Sequence, residues 1–73
     1  MFQVVLNNPN EVKEFVETAS KSSREINLES GSVFIDAKSF LGVLTMGINR
    51  KMSVRVIGED NDFIHKIQKF AIA

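Results

Sequence analysis

The spacing of hydrophobic and polar residues changes along the chain, and each change predicts a new element. Residues 2–6 are rich in strand formers, and Asn7, Asn8 and Pro9 interrupt them. Asn8 is a good helix cap because Pro9 suits the first helical position and Glu11 stands three residues after Asn8. Four apolar residues then recur at helical spacing: Val12, Phe15, Val16 and Ala19. The pattern predicts a strand over 2–6 followed by a helix.

The middle of the chain alternates between polar and apolar residues, which is typical of half-buried strands. Segments 24–29 and 32–37 show this pattern and flank Ser30-Gly31, a pair that favours a tight turn. The two segments therefore predict a β-hairpin. A fourth strand is predicted for residues 52–57, which are again rich in strand formers.

Two further helices are predicted from their caps and spacing. The first runs from about Ser39 to Met46, with Ser39 as its N-cap and Gly47 at its end. The second follows Asp60 or Asn61, either of which can cap it. The last helix has five apolar residues at helical spacing: Phe63, Ile64, Ile67, Phe70 and Ala71.

The predicted element order is βαββαβα, in a chain of 73 residues. Three helices can bury their apolar faces against one face of a four-stranded antiparallel sheet, which gives an α+β, open-faced two-layer sandwich. This length leaves room for a single domain, residues 1–73. We expect the core to contain Val12, Phe15, Val16, Ile26, Leu28, Val43, Val54, Val56, Ile64 and Ile67.

Composition excludes several classes of function. Nine Lys and Arg balance nine Asp and Glu, which argues against direct nucleic-acid binding. The chain has no Cys and one His, His65, so we expect no metal site, no cofactor and no thiol chemistry. No nucleophilic triad or phosphate-binding glycine loop is present, which predicts a protein that is not an enzyme. Without a long apolar run or a signal-like N-terminus, we expect a cytoplasmic protein.

The segment from Asp36 to Ile48 is unusually apolar for a helix of two turns. Successive helical residues lie about 100° apart, so its large side chains cannot all face one sheet. If Val43 and Ile48 turn inward, some of the other apolar residues remain outside. Phe40, Leu41 and Leu44 beside Ser39 then predict an exposed docking patch. The alternative is a helix that is buried on two sides.

This same segment closely resembles the regulatory-serine region of HPr, the small phosphocarrier of the bacterial sugar phosphotransferase system. The likeness is strongest to HPr of Gram-positive type over residues 37–48, and it extends across about residues 12–66. It includes Phe15-Val16 in the first helix and Ser30-Gly31 in the turn. The resemblance implies the HPr fold, with its antiparallel strands in the order 1-4-2-3.

One part of the chain departs from that family. HPr carries its phosphoryl group on a histidine in a Gly-x-His-x-Arg-Pro-Ala segment between the first strand and the first helix. Residues 6–12 occupy this interval here, contain neither His nor Arg, and form a shorter segment. Phosphoryl transfer through imidazole needs the ring itself, and His65 lies on a different element. We therefore expect the carrier chemistry to be absent.

Members of the family without the histidine, the catabolite-repression HPr-like proteins, keep the regulatory serine. By resemblance, HPr kinase would phosphorylate Ser39, and the product would bind a LacI-type transcriptional regulator through Phe40, Leu41 and Leu44. Two alternatives remain open. The first is a degenerate HPr-fold binding protein without phosphorylation. The second is a phosphotransferase-system component in sugar transport that is grouped with the phosphocarriers by homology.

Overall fold

The computed structural model describes residues 2–72 of the chain. It contains four strands, three α-helices and one short 3₁₀ turn in the predicted βαββαβα order. The elements are β1 (Phe2–Val4), α1 (Pro9–Ser20), β2 (Glu25–Ser30), β3 (Val33–Asp36), α2 (Phe40–Met46), β4 (Met52–Ile57), α3 (Asn61–Lys66) and the 3₁₀ turn (Gln68–Phe70).

The four strands form one antiparallel sheet in the order β1-β4-β2-β3, as the resemblance implied. The register places Leu28 of β2 between Ile35 of β3 and Val54 of β4. Since successive side chains in a strand alternate between faces, these three residues share one face. The opposite face carries polar residues such as Glu29 and Arg55, whose side chains form an ion pair at 2.5 Å. The protein is therefore an α+β sandwich with one open sheet face.

Side-chain caps start all three helices at the predicted places. The Asn8 side chain accepts a hydrogen bond from the Glu11 N–H at 2.9 Å, and Asp60 caps α3 by accepting from the Phe63 N–H at 3.0 Å. Glu11 completes a variant of the capping box, because its carboxylate accepts from the N–H of Asn7 at 2.9 Å. These bonds satisfy N–H groups that the first turn of a helix leaves without partners.

The core lies between the helices and the sheet, with Phe15 at its centre. The ring of Phe15 meets those of Phe63 and Phe70 edge-on, with centroid separations of 6.0 and 6.1 Å. Eight of the ten predicted core residues are buried. The other two, Val56 and Ile64, are half-buried and pack against the core from its margin.

The end of the chain differs from the prediction of one long last helix. Helix α3 stops at Lys66, and the predicted helical residues Phe70 and Ala71 lie in and after the 3₁₀ turn. Phe70 is buried against Phe15, and Ala71 forms an antiparallel bridge with Val4 of β1. Pairing with β1 requires an extended backbone, so this tertiary contact outweighs the helical spacing of the sequence.

Strand β1 also ends earlier than predicted, at Val4 rather than at Leu6. The backbone beyond it turns to other partners: the N–H of Val5 donates to the carbonyl of Phe70, and the carbonyl of Leu6 accepts from the N–H of Asn49 at 2.8 Å. Asn49 adopts a positive φ of 64°, which asparagine tolerates better than most residues. Leu6 is fully buried, although it lies outside the strand.

Candidate functional site

Ser39 is the N-cap of α2, and its side chain is at the protein surface. Its backbone is extended, and its hydroxyl oxygen accepts a hydrogen bond from the N–H of Gly42 at 3.2 Å. Its carbonyl accepts the first helical bond from Val43 at 2.9 Å. Ser39 is exposed at the protein surface, and its hydrogen bond with Gly42 holds the hydroxyl at the start of the helix.

Gly42 lets α2 lie close to β3. A Cβ atom on Gly42 would lie 2.9 Å from Cγ2 of Ile35 in β3 and 3.0 Å from the Ser39 hydroxyl oxygen. Real Cβ atoms are almost never as close as 2.9 Å to another heavy atom, so a side chain at position 42 would force Ile35 or α2 to shift. A glycine inside a helical pattern can indicate such a close approach, but the sequence alone does not identify the residue that lies against it.

The loop before Ser39 is held by Asp36 and Lys38. The Asp36 side chain accepts from the Lys38 N–H at 2.9 Å, and the Asp36 carbonyl accepts from the Ser39 N–H at 3.0 Å. Although Lys38 precedes Ser39 in the chain, its ammonium group donates to the carbonyl of Ser22 at 2.8 Å, because the end of α1 lies within its reach.

The predicted apolar patch is only partly exposed. Leu41 is 73% exposed and Phe40 is 38% exposed, and both follow Ser39 directly. Phe40 borders a shallow, almost wholly apolar depression of about 280 Å³, which Lys13, Val16 and Glu17 of α1 complete. Leu44 is half-buried and packs against the core. The exposed patch therefore consists of Phe40 and Leu41.

The loop between β1 and α1 includes Asn7 and Asn8, which are exposed, as is Pro9 at the first position of α1. The N–H of Asn7 is occupied by the carboxylate of Glu11. The Glu11 carboxylate would repel an anion bound in this loop. The Asn7 N–H already donates to that carboxylate, so it is not free to donate to the anion. His65 is exposed on α3, an element distinct from this loop.

A second polar cluster joins the end of α1 to the start of α3. The Ser22 hydroxyl donates to the carboxylate of Asp60, and Arg24 donates to the carbonyl of Glu59 at 3.0 Å. The hydrogen bond from Ser22 and the one from the Phe63 N–H hold the pKa of Asp60 below its usual range. Sequence reasoning had assigned Asp60 only to capping, since Ser22 lies far from it along the chain.

Among residues 2–72, no group of three or more His, Asp and Glu side chains is placed to hold a metal ion. Within the same range, no helix combines the length and the apolar character that crossing a membrane demands.

The architecture and the serine-capped second helix define the class of protein. The fold is a two-layer α+β sandwich whose sheet order places β1 and β3 at the edges. Residues 4–72 match the family described as PTS HPr component phosphorylation site. The chain belongs to the HPr family. Members of this family are phosphocarriers of the phosphotransferase system rather than catalysts.

Solved structures of the same fold support this assignment. HPr-C-His of Thermoanaerobacter tengcongensis superposes with a TM-score of 0.77 at 23% identity, covering 94% of this chain and 89% of that chain. The histidine-containing phosphocarrier protein of Mycoplasma gives a TM-score of 0.73 at 19% identity, with 93% and 86% covered. Crh, the catabolite repression protein of Bacillus subtilis, gives 0.67 at 19% identity, with 100% and 90% covered. At these identities the similarity establishes the fold.

Proposed function

We propose that this protein is a regulatory member of the HPr family that is switched by phosphorylation of Ser39 and does not carry phosphate on a histidine. One observation carries the proposal. An exposed serine hydroxyl caps α2 and is followed directly by two exposed apolar side chains, Phe40 and Leu41. A modifiable group and an apolar contact surface thus occupy adjacent positions.

The loop between β1 and α1 supports the absence of histidine transfer. Residues 6–12 contain no His, so the imidazole nucleophile is missing from the place where the family carries it. The Glu11 carboxylate also occupies the Asn7 N–H. The loop therefore lacks the nucleophile and presents a negative charge where a phosphoryl group would need donors.

The start of α2 is compatible with a phosphate on Ser39. A phosphoserine carries a charge of about −1.5 to −2 at neutral pH, which the positive end of a helix favours. Lys38 donates its ammonium group to the carbonyl of Ser22, so it would have to give up that bond to pair with a phosphate on Ser39. A partner with an arginine at its surface would then pair with the phosphate and make the interaction dependent on phosphorylation.

The resemblance of the serine segment suggests the identity of the two partners. HPr kinase would phosphorylate Ser39 with ATP, and the product would bind a LacI-type transcriptional regulator in catabolite repression. The similarity to Crh, whose name refers to catabolite repression, supports this choice. Phe40 and Leu41 would be buried by the regulator, and Leu44 would contribute from its half-buried position.

Binding to the regulator tests this function. We expect the kinase-treated protein to bind a LacI-type regulator at least tenfold more tightly than the untreated protein, as measured by titration calorimetry. Leu41→Lys should abolish this gain with the fold intact, because Leu41 is largely exposed. Ile57→Lys, at an exposed position on β4, is the matched control and should bind normally. Equal binding with and without phosphate would contradict the proposal.

A further inference from the structure

The two outer edges of the sheet differ in how they are covered. The outer side of β1 pairs with the end of the chain through the bridge between Val4 and Ala71. The N–H of Ile72 also donates to the carbonyl of Gln3 at 3.0 Å. Strand β3 has a neighbour on one side only within residues 2–72, namely β2. The edge at β3 is therefore open in the part of the chain that the structure describes.

The register shows which backbone groups of β3 point outward. The N–H of Ala37 donates to the carbonyl of Ile26 at 2.9 Å, so residues 37, 35 and 33 direct their groups toward β2. The N–H and carbonyl of Phe34, and the N–H of Asp36, then face away from the sheet. Ser39 occupies the carbonyl of Asp36.

Apolar side chains flank this free edge on both sides. Phe34 is 63% exposed on the open face of the sheet, and Val33 is 49% exposed on the helix side. Val33 also borders an open groove of about 490 Å³, which Leu41, Thr45 and Arg50 help to line. Natural edge strands commonly carry charged residues, Pro or a bulge that discourage pairing, and residues 33–36 contain one charged residue, Asp36, and no Lys or Pro.

We propose that the β3 edge pairs with the β3 edge of a second copy of this chain to form a continuous antiparallel sheet. A two-fold axis between the two Phe34 residues lets each Phe34 N–H donate to the other Phe34 carbonyl. Both bonds use groups that point outward, and neither needs the occupied carbonyl of Asp36.

Charge favours the same partner and register. The chain has no net charge, so two copies do not repel each other as whole molecules. The register centred on Phe34 places the two Asp36 side chains at opposite ends of the paired strands, whereas a register centred on Asp36 would juxtapose them. In the chosen register the two Phe34 rings lie opposite each other, and Val33 of each copy lies opposite Ile35 of the second copy.

The dimer is expected to be weak, since β3 has only four residues. Interfaces below about 1,200 Å² typically belong to transient complexes. Sedimentation velocity on the whole chain, from micromolar to millimolar concentration, should show a reversible monomer–dimer equilibrium. In amide hydrogen exchange over the same range, the N–H group of Phe34 should become protected as the concentration rises.

Two variants distinguish this edge from other surfaces. Phe34→Lys should raise the dimer dissociation constant at least tenfold, because it places two like charges opposite each other at the axis. Ile57→Lys, which changes an exposed residue on the same face of the sheet but away from this edge, should leave the constant unchanged. A protein that stays monomeric throughout, or a dimer in which the Phe34 amide remains unprotected, would overturn the proposal. A dimer formed by exchange of β1 between two copies would leave the Phe34 amide unprotected, so it would also overturn the proposal.

Discussion

The hydroxyl of Ser39 and the backbone of Gly42 are in direct contact at the start of α2, where the Gly42 N–H donates to the hydroxyl oxygen at 3.2 Å. The missing side chain of Gly42 also lets α2 lie close to β3, since a Cβ there would lie 2.9 Å from Cγ2 of Ile35. The residue that donates to the Ser39 hydroxyl is therefore also the residue that sets how closely α2 packs on the sheet.

Substitution Gly42→Ala should destabilise the protein for this reason. Overpacking costs about 1–3 kcal/mol, and the better helix propensity of alanine offsets up to about 1 kcal/mol of that. We expect a net loss in the free energy of unfolding measured with urea. In an Ile35→Ala background the same substitution should cost less, because the 2.9 Å contact with Cγ2 is gone. An equal cost in both backgrounds would show that this contact is not the cause.

Substitution Ser39→Ala should lower the free energy of unfolding by about 1 kcal/mol through loss of the N-cap. Urea unfolding provides the measurement. The exposed turn residue Ser32 offers the matched control, and Ser32→Ala should leave the stability within about 0.5 kcal/mol of the parent protein. If the two alanine variants were equally stable, the hydroxyl of Ser39 would not be a stabilising cap.

Substitution Phe15→Ala should cost about 3–5 kcal/mol. Phe15 is fully buried and meets both Phe63 and Phe70, so its removal leaves a cavity between α1 and the end of the chain. Thermal unfolding followed by circular dichroism would show a large fall in the midpoint. Phe34→Ala, at a site 63% exposed, should change the midpoint little when measured at low protein concentration.

Acid should weaken the junction between α1 and α3. The Ser22 hydroxyl and the Phe63 N–H lower the pKa of Asp60 in the folded protein, relative to about 3.9 in an unfolded chain. The stabilisation is therefore complete above the unfolded value and is lost as the pH falls through the lowered folded value.

The stability difference between the parent protein and Asp60→Asn should shrink over that acid range. Ser22→Ala should narrow the pH interval between the folded and unfolded pKa of Asp60, because it removes the largest cause of the lowered pKa. Ser23→Ala, at the neighbouring exposed serine, serves as the control and should behave like the parent protein. A stability difference that stays constant throughout the acid range would contradict the assignment.

The sequence predicted the features that depend on local signals. The caps Asn8, Ser39 and Asp60 lie where predicted, because each side chain bonds to an N–H three residues later. The buried positions of α1 also follow from helical spacing alone.

Features that depend on distant contacts could not be predicted in this way. Ala71 has helical spacing with Ile67, yet it pairs with Val4 at the other end of the chain. Lys38 stands beside Ser39 in sequence, yet its ammonium group donates to the end of α1. Leu44 is half-buried against the core, and α2 contacts both α1 and β3, which the apolar pattern of the helix alone does not show.

Intact mass measurement with two phosphate donors shows whether phosphate reaches Ser39 or a histidine. With HPr kinase and ATP, we expect the gain of one acid-stable phosphoryl group, which fragment spectra place on Ser39 and which Ser39→Ala lacks. With enzyme I of the phosphotransferase system and phosphoenolpyruvate, we expect an unchanged mass. No gain with the kinase, or an acid-labile gain with phosphoenolpyruvate, would show that Ser39 is not the phosphorylated residue of a regulatory protein.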